Sequence, residues 1–195
     1  PLFGVFDPET SIDFIVHGAS IASPMVYREF PLETLDANIT GTRNVLELAK
    51  HNKSESVLVM SSSEVYGNPD PTFIPTSEEY WGNTSFTGPR ACYDESKRVS
   101  ETICAIYADK HNIPVKMARP FNVYGPGLRL DDKRVMPDFL NAVLSKTPIT
   151  LLSDGSPTRT FCYISDAVRA MFHILLEGQE GEPYNMGVDQ GEISM

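Results

Sequence analysis

Apolar residues come along this chain in short bursts, separated by longer stretches in which they recur every three or four positions. IDFIVHGA (12–19) is a brief apolar run ending in Gly18 and small side chains, the pattern of a buried strand feeding a loop. Leu35, Ile39, Thr42, Leu46 and Ala49 share one helical face and predict a helix from about Leu32 to His51. SVLVM (56–60) reads as a second buried strand, and the SSSEVYGNPDP after it carries the Gly and Pro of a loop. A polar stretch then runs to Pro89, which suits a helix start. Along that helix Cys92, Ser96, Val99, Ile103 and Ile106 mark the stripe expected to face the core, with Tyr93 and Lys97 on its flank.

The alternation continues. VKMARP (115–120) predicts a third strand and FNVYGPG a loop, while Met136, Phe139, Leu140 and Val143 place a helix near 134–146. ITLLS and RTFCYI are expected as strands on either side of the DGSPT turn. Ser165 and Asp166 are expected to cap a helix whose face is Val168, Met171, Phe172 and Leu175. EPYNMG suits a last short strand, and GEISM reads like the approach to another helix. Strand–helix alternation of this kind predicts an α/β fold with a mostly parallel sheet. Ligands on such sheets sit at the carboxyl ends of the strands, where HGASIASP, SSSEVYG and RPFNVYGPG all fall.

Composition narrows the function classes. The chain has 195 residues, 41% of them apolar and 22% charged, as in an ordinary soluble globular protein. Its longest apolar runs, such as VLVM, are too short to span a membrane, and PLFGVFDPET lacks the regions of a signal peptide. Three cysteines without motivated spacing (Cys92, Cys104, Cys162) suit a reduced, cytoplasmic chain. A net charge of −10 argues against wrapping nucleic acid. A small anionic ligand remains compatible with Arg119, Arg129, Lys133, Arg134 and Arg159, although scattered surface charge explains most of these. His17, His51, His111 and His173 show no ligand spacing, so no metal is expected, and no Ser/His/acid arrangement can be read.

The sharpest chemistry lies in GPRACYDESKR, where Tyr93 and Lys97 stand four residues apart on one helix face. A tyrosine ordinarily titrates near pH ~10, too high for a base in a neutral cell. A neighbouring ammonium favours the phenolate, and a bound pyridinium would add a second positive charge. Together they would make Tyr93 a base for a sugar or alcohol hydroxyl, whose carbon could then release hydride. Such a pair is common by chance, but here SSSE ends a buried strand some thirty residues earlier. A hydroxyl of Ser62 or Ser63 could hold the reacting oxygen at Tyr93, and the Glu64 carboxylate can serve as acid or base at a neighbouring carbon.

HGASIASP, DANITGTRNVLELA, SSSEVYG, GPRACYDESKRVSET, ARPFNVYGPG and GSPTRTFCYISD resemble, in order and over nearly the whole chain, the extended short-chain dehydrogenase/reductase family of NAD-dependent nucleotide-sugar epimerases and dehydratases. Within it, YWGN and GPRACYDESKR are most similar to the UDP-glucuronate decarboxylases. The resemblance implies a partial Rossmann-like, doubly wound parallel sheet over residues 1–120 and a small sugar-nucleotide-binding lobe over 121–195. It implies a tightly held NAD, reduced and reoxidised in one cycle, and a UDP-sugar substrate. By matching motif positions, Tyr93 is the catalytic base and Lys97 binds the nicotinamide ribose. Ser62 or Ser63 contacts the sugar, and Glu64 lies beside the carbon being altered. Ala19, Ser20 and Asn38 flank the cofactor, while Asn122 and Arg159 hold the sugar nucleotide. Arg90 is a candidate substrate cation or a cap of the helix start. The helices 32–51 and 92–111 would pair across a two-fold axis in a homodimer.

Two departures stand out. No G-x-G-x-x-G occurs, since Gly125-Pro126-Gly127 and Gly187 to Gly191 have the wrong spacing, and a C-terminal portion with a further substrate arginine is missing. The chain is therefore expected to be a segment of a longer protein, short of independent activity. A 4,6-dehydratase is the nearest rival reading, although many have Asp where Ser63 stands. A 4-epimerase usually lacks Glu64. A non-catalytic binding relative or an inactive fragment is the alternative of another class.

Overall fold

The computed structural model describes residues 11–132, 134–151 and 153–194. Four strands form one parallel sheet in the order β1-β2-β3-β7: β1 (Phe14–His17), β2 (Ser56–Met60), β3 (Val115–Pro120) and β7 (Pro183–Met186). Helix α1 (Pro24–Glu29) leads into α2 (Pro31–Asn52), and α3 (Ala91–His111) precedes β3. Helix α2 opens with Pro31 and closes at Lys53, and α3 closes at Asn112; both closing residues take left-handed backbone. The second half adds β4 (Val123–Tyr124), α4 (Val135–Ser145), β5 (Thr158–Arg159), β6 (Cys162–Tyr163), α5 (Ile164–Glu177) and β8 (Ile193–Ser194).

Side chains alternate across the sheet, so β2 serves two cores at once. Val57 and Val59 pack with Val45, Leu46 and Ala49 of α2, Cys104 and Tyr107 of α3, and Val115 and Met117 of β3. Leu58 and Met60 point the other way, onto Ala118 of β3 and Ile174 and Leu175 of α5. Helices thus cover both faces, the three-layer arrangement of a doubly wound sheet. Helix α5 and β7 come from the second half yet complete this sheet, so its layers do not stop at residue 120. At the amino end, Lys116 is buried on β3; its ammonium donates to Ser56 Oγ at 2.9 Å, and Ser56 donates to Leu175 O at 2.6 Å.

Several expectations are corrected. The buried face of α3 is Tyr93, Ser96, Lys97, Ser100, Cys104 and Tyr107, whereas Val99 and Ile106 are exposed. The seam with α2 is lined by small polar groups: Asn38 Nδ2 donates to Ser96 Oγ at 2.8 Å, and Ser100 Oγ donates to Asn38 O at 2.9 Å. Of the expected stripe, Ser96 is buried and Ile103 packs against the core, while Val99 and Ile106 face outward. Likewise α5 buries Ala167, Ile174 and Leu175 while exposing Val168 and Phe172, and its cap is Tyr163 rather than Ser165 or Asp166. On α4, Leu140 and Val143 are exposed, and the short β4 pairs in parallel with β6 inside the expected loop. No strand forms over the described part of ITLLS, and Ile193–Ser194 is a strand antiparallel to β5 rather than a helix approach. The start of the chain (1–10), Lys133, Leu152 and Met195 lie outside the described residues. No helix among the described residues is long and apolar enough to cross a membrane.

Candidate active site

β2 ends at Met60, and the chain turns at once into the serine loop. Ser62 Oγ accepts from Glu64 N at 3.3 Å, starting a 3-10 turn over Ser63–Tyr66. Gly67 closes the turn at φ +66°, where a Cβ would come within 2.1 Å of Asn83 O, so only glycine fits. The loop returns alongside itself through Asn68 N to Asn83 O (2.9 Å) and Asn83 N to Tyr66 O (2.8 Å).

Helix α3 delivers the other half of the site. Of the two candidate serines, Ser62 is the one that acts on the Tyr93 phenol, favouring its charged form. The Lys97 ammonium lies 5.7 Å from the centroid of the Tyr93 ring and donates to Met60 O at 2.7 Å. Both residues lie on the face of α3 that the fold buries, Tyr93 at 8% and Lys97 at 5% exposure. Glu64 is ion-paired with Arg90, which also approaches Asp94 at 3.4 Å. Arg90 occupies the cap position of α3, but its side chain does not cap the helix.

The electrostatics differ from the sequence expectation in one respect. Burial pushes the Tyr93 phenol above its ordinary value; the Ser62 hydrogen bond opposes this, and Glu64, Tyr27 and Asp94 add to the rise. Desolvation is the largest of these influences, so the phenol is not acidified within the folded chain. Burial acts on the lysine too, pushing it down to about 8. His17, at the end of β1, is held below its usual value by burial and by the nearby Lys97 charge. Burial raises the Asp94 carboxyl against the pull of Arg90.

The remaining candidates divide. Ala19 is exposed past β1, and Ser20 follows with its Oγ buried and without a partner. Asn38 is sealed in the α2–α3 seam with its Oδ1 likewise unpartnered. Asn122 ties its loop, Nδ2 donating to Thr160 O at 3.1 Å. Arg159 is exposed on β5 and donates to Thr158 O at 2.6 Å. Of the other cations considered for an anionic ligand, Arg119, Arg129 and Arg134 are each ion-paired within the chain, to Glu101, Asp131 and Asp132.

Sequence reasoning missed Tyr27, whose ring stacks on Tyr93, and His17, whose place as the last residue before Gly18 was the available signal. Nothing in SPMVYRE marks Tyr27. Among the described residues, four buried side-chain polar atoms lack a partner: Ser20 Oγ, Tyr27 OH, Asn38 Oδ1 and Arg90 Nε. All belong to segments that carry or flank Tyr93 and Lys97. Leaving such atoms unpaired costs about 1–3 kcal/mol each, so this end of the sheet suits a polar ligand such as the ribose and nicotinamide of a dinucleotide. Tyr93, Lys97 and Ser20 are the residues that would hold it.

Comparison with known proteins shows the family. Residues 2–187 match the NAD dependent epimerase/dehydratase family. The chain is 43% identical over 184 residues to UDP-glucuronic acid decarboxylase 6 of Arabidopsis thaliana, covering 94% of this chain and 52% of that protein. It is 43% identical over 179 residues to UDP-glucuronic acid decarboxylase 1 of Xenopus tropicalis, covering 92% of this chain and 42% of that one. The crystal structure of UDP-glucuronic acid 4-epimerase from Bacillus cereus in complex with UDP-glucuronic acid and NAD superposes with a TM-score of 0.80 at 29% identity, covering 94% of this chain and 56% of that chain. The chain spans about half the length of the curated relatives it matches. It belongs to the NAD dependent epimerase/dehydratase family.

Proposed function

We propose that the protein from which this family member comes uses NAD to convert UDP-glucuronate to UDP-xylose and carbon dioxide through a 4-keto sugar. The observation that carries the reading is the convergence of Tyr93, Lys97, Ser62 and Glu64 at the carboxyl end of β2. The 43% identity to UDP-glucuronic acid decarboxylases supports the substrate and the outcome.

Tyr93 takes the proton from the C4 hydroxyl, and Ser62 holds that oxygen against the phenol. NAD, held by Tyr93, Lys97 and Ser20, would supply the hydride chemistry at C4. Lys97 fixes the ribose and adds positive charge beside the phenol. The C4 ketone makes the C5 carboxylate a β-keto acid, so the C5–carboxylate bond breaks and its electron pair becomes an enolate. Glu64, held by Arg90, stands as the acid or base for the proton that arrives at C5. Tyr93 would return its proton to the C4 oxygen as the ketone is reduced again, which closes the cycle. Asn122 and Arg159 are assigned to the sugar nucleotide, and Ala19, Ser20 and Asn38 to the cofactor side. Residues 1–120 then serve mainly the cofactor and 121–195 mainly the substrate. We place the enzyme in the cytoplasm as a homodimer paired through α2 and α3.

A second reading, C4 epimerisation, is favoured by the 29% identity to the Bacillus cereus enzyme. The full-length protein with UDP-glucuronate and NAD distinguishes the two: decarboxylation releases carbon dioxide and a UDP-pentose, epimerisation gives a C4 epimer without mass loss. Loss of water from a nucleotide hexose instead would indicate a dehydratase. Tyr93→Phe is expected to abolish turnover and keep the fold; unchanged activity would remove Tyr93 from its role.

A further inference from the structure

Four segments meet on one buried ion pair behind the serine loop. Arg119, near the carboxyl end of β3, donates from Nε to Glu101 Oε1 at 2.8 Å and from Nη2 to Oε2 at 2.6 Å. Its Nη1 donates to Tyr66 OH at 2.7 Å and to Glu78 O at 3.0 Å. Ser61 Oγ donates to the same Glu101 carboxylate at 2.5 Å. Tyr66 OH in turn donates to Asn185 Oδ1 at 2.7 Å, and Asn185 binds Glu78 Oε1 and Thr76 O, each at 2.8 Å.

The geometry has a direction. Ser61 and Tyr66 bracket the segment that carries Ser62 and Glu64, and both are tied to this one pair. Glu101 lies on α3 four residues beyond Lys97 and eight beyond Tyr93, on a shared face. The helix that presents the phenol therefore also anchors the loop that presents its serine. A buried bidentate pair is weak as a source of stability, because desolvation of both charges offsets their attraction. What it supplies is a fixed geometry with several hydrogen bonds satisfied at once.

We propose that Glu101 and Arg119 are positioning residues, which act through Ser61 and Tyr66 to hold Ser62 and Glu64 in register with Tyr93. The proposal rests on the roles given to Tyr93 and Ser62 above. The groups facing the phenol are Ser62 and Glu64 from the loop, Tyr27 from α1, and Arg90, Asp94 and Lys97 from the start of α3; His17 of β1 faces Lys97. None of these is altered in the test.

Ser61→Ala and Tyr66→Phe, made in the full-length protein with NAD, remove one hydroxyl each and leave both charges in place. Turnover of UDP-glucuronate is expected to fall about tenfold with little change in KM, since each hydroxyl acts, by way of Ser62, on the reacting oxygen. The pH midpoint of NADH formation is expected to rise by about half a unit to one unit, because a looser Ser62 no longer favours the phenolate. The titration midpoint of the Tyr93 phenolate absorbance, read as the difference from Tyr93→Phe, is expected to rise with it. A lower melting temperature with unchanged turnover, midpoint and phenol titration would reduce the pair to a structural strut and overturn the proposal. If the wild type does not turn over UDP-glucuronate, the substrate reading fails, and the phenol titration still decides: a shift supports positioning, and none overturns it.

Discussion

The ring of Tyr27 lies nearly parallel over the ring of Tyr93, with centroids 5.1 Å apart and planes 13° apart. Tyr27 is 1% exposed, so one face of the candidate base is closed by a second aromatic from α1. Truncation to Tyr27→Ala is expected to cost ~3–5 kcal/mol and to lower turnover by freeing the phenol. Tyr27→Phe keeps the stack and removes a buried hydroxyl that has no partner, so its melting temperature is expected to equal or exceed the wild type's. Thermal denaturation and initial rates of the two variants check both statements.

Lys97 is charged at a buried position, and its value of about 8 lies below the ~10.4 of an unfolded chain. The unfolded state therefore holds the proton more tightly, and the folding penalty is complete below about pH 8 and relieved as pH rises past ~10. Lys97→Met is expected to melt above the wild type near neutrality, with the gap closing by about pH 10. Turnover of the variant is expected to be lost at every pH. Melting curves across that range test the sign.

Glu64 is assigned proton transfer at the altered carbon, with Arg90 holding its carboxylate. Glu64→Gln preserves shape and removes the titrating group, so carbon dioxide release is expected to slow by about 10²–10⁴-fold with KM for the UDP-sugar nearly unchanged. A loss smaller than tenfold would reassign the proton to another group.

Leu32 of α2 and Ile106 of α3 are 70% and 50% exposed on the helices proposed to pair between subunits. A double substitution to Leu32→Glu and Ile106→Glu is expected to convert a dimer to monomers without unfolding either, as read by sedimentation and circular dichroism. A dimer that survives both charges places the interface elsewhere.

Strand β2 was readable because a strand covered on both faces is apolar along its length, as SVLVM is. The site was readable through Tyr93, Lys97 and the serine loop because all three are local in sequence or follow a strand end. What failed was orientation. The buried face of α3 includes Lys97 and Ser100, which hydropathy assigns to solvent, and only their partners on α2 and β2 show that they are satisfied inside. The stacking of Tyr27 on Tyr93 and the pairing of Glu101 with Arg119 join residues far apart in the chain, so no local pattern announces either.

The seam between α2 and α3 sets Asn38, Ser96 and Ser100, tied by hydrogen bonds, beside the apolar packing of Val45, Leu46 and Ala49 against Cys104 and Tyr107. Such a joint has no slack to absorb bulk. One added methyl group at Ser96, which is fully buried and three residues from Tyr93, is expected to disturb the turn of helix that carries the phenol. Changes that look mild by size alone thus become mechanical offsets at the reacting oxygen, and the narrowest tolerance in the molecule belongs to residues that touch no ligand.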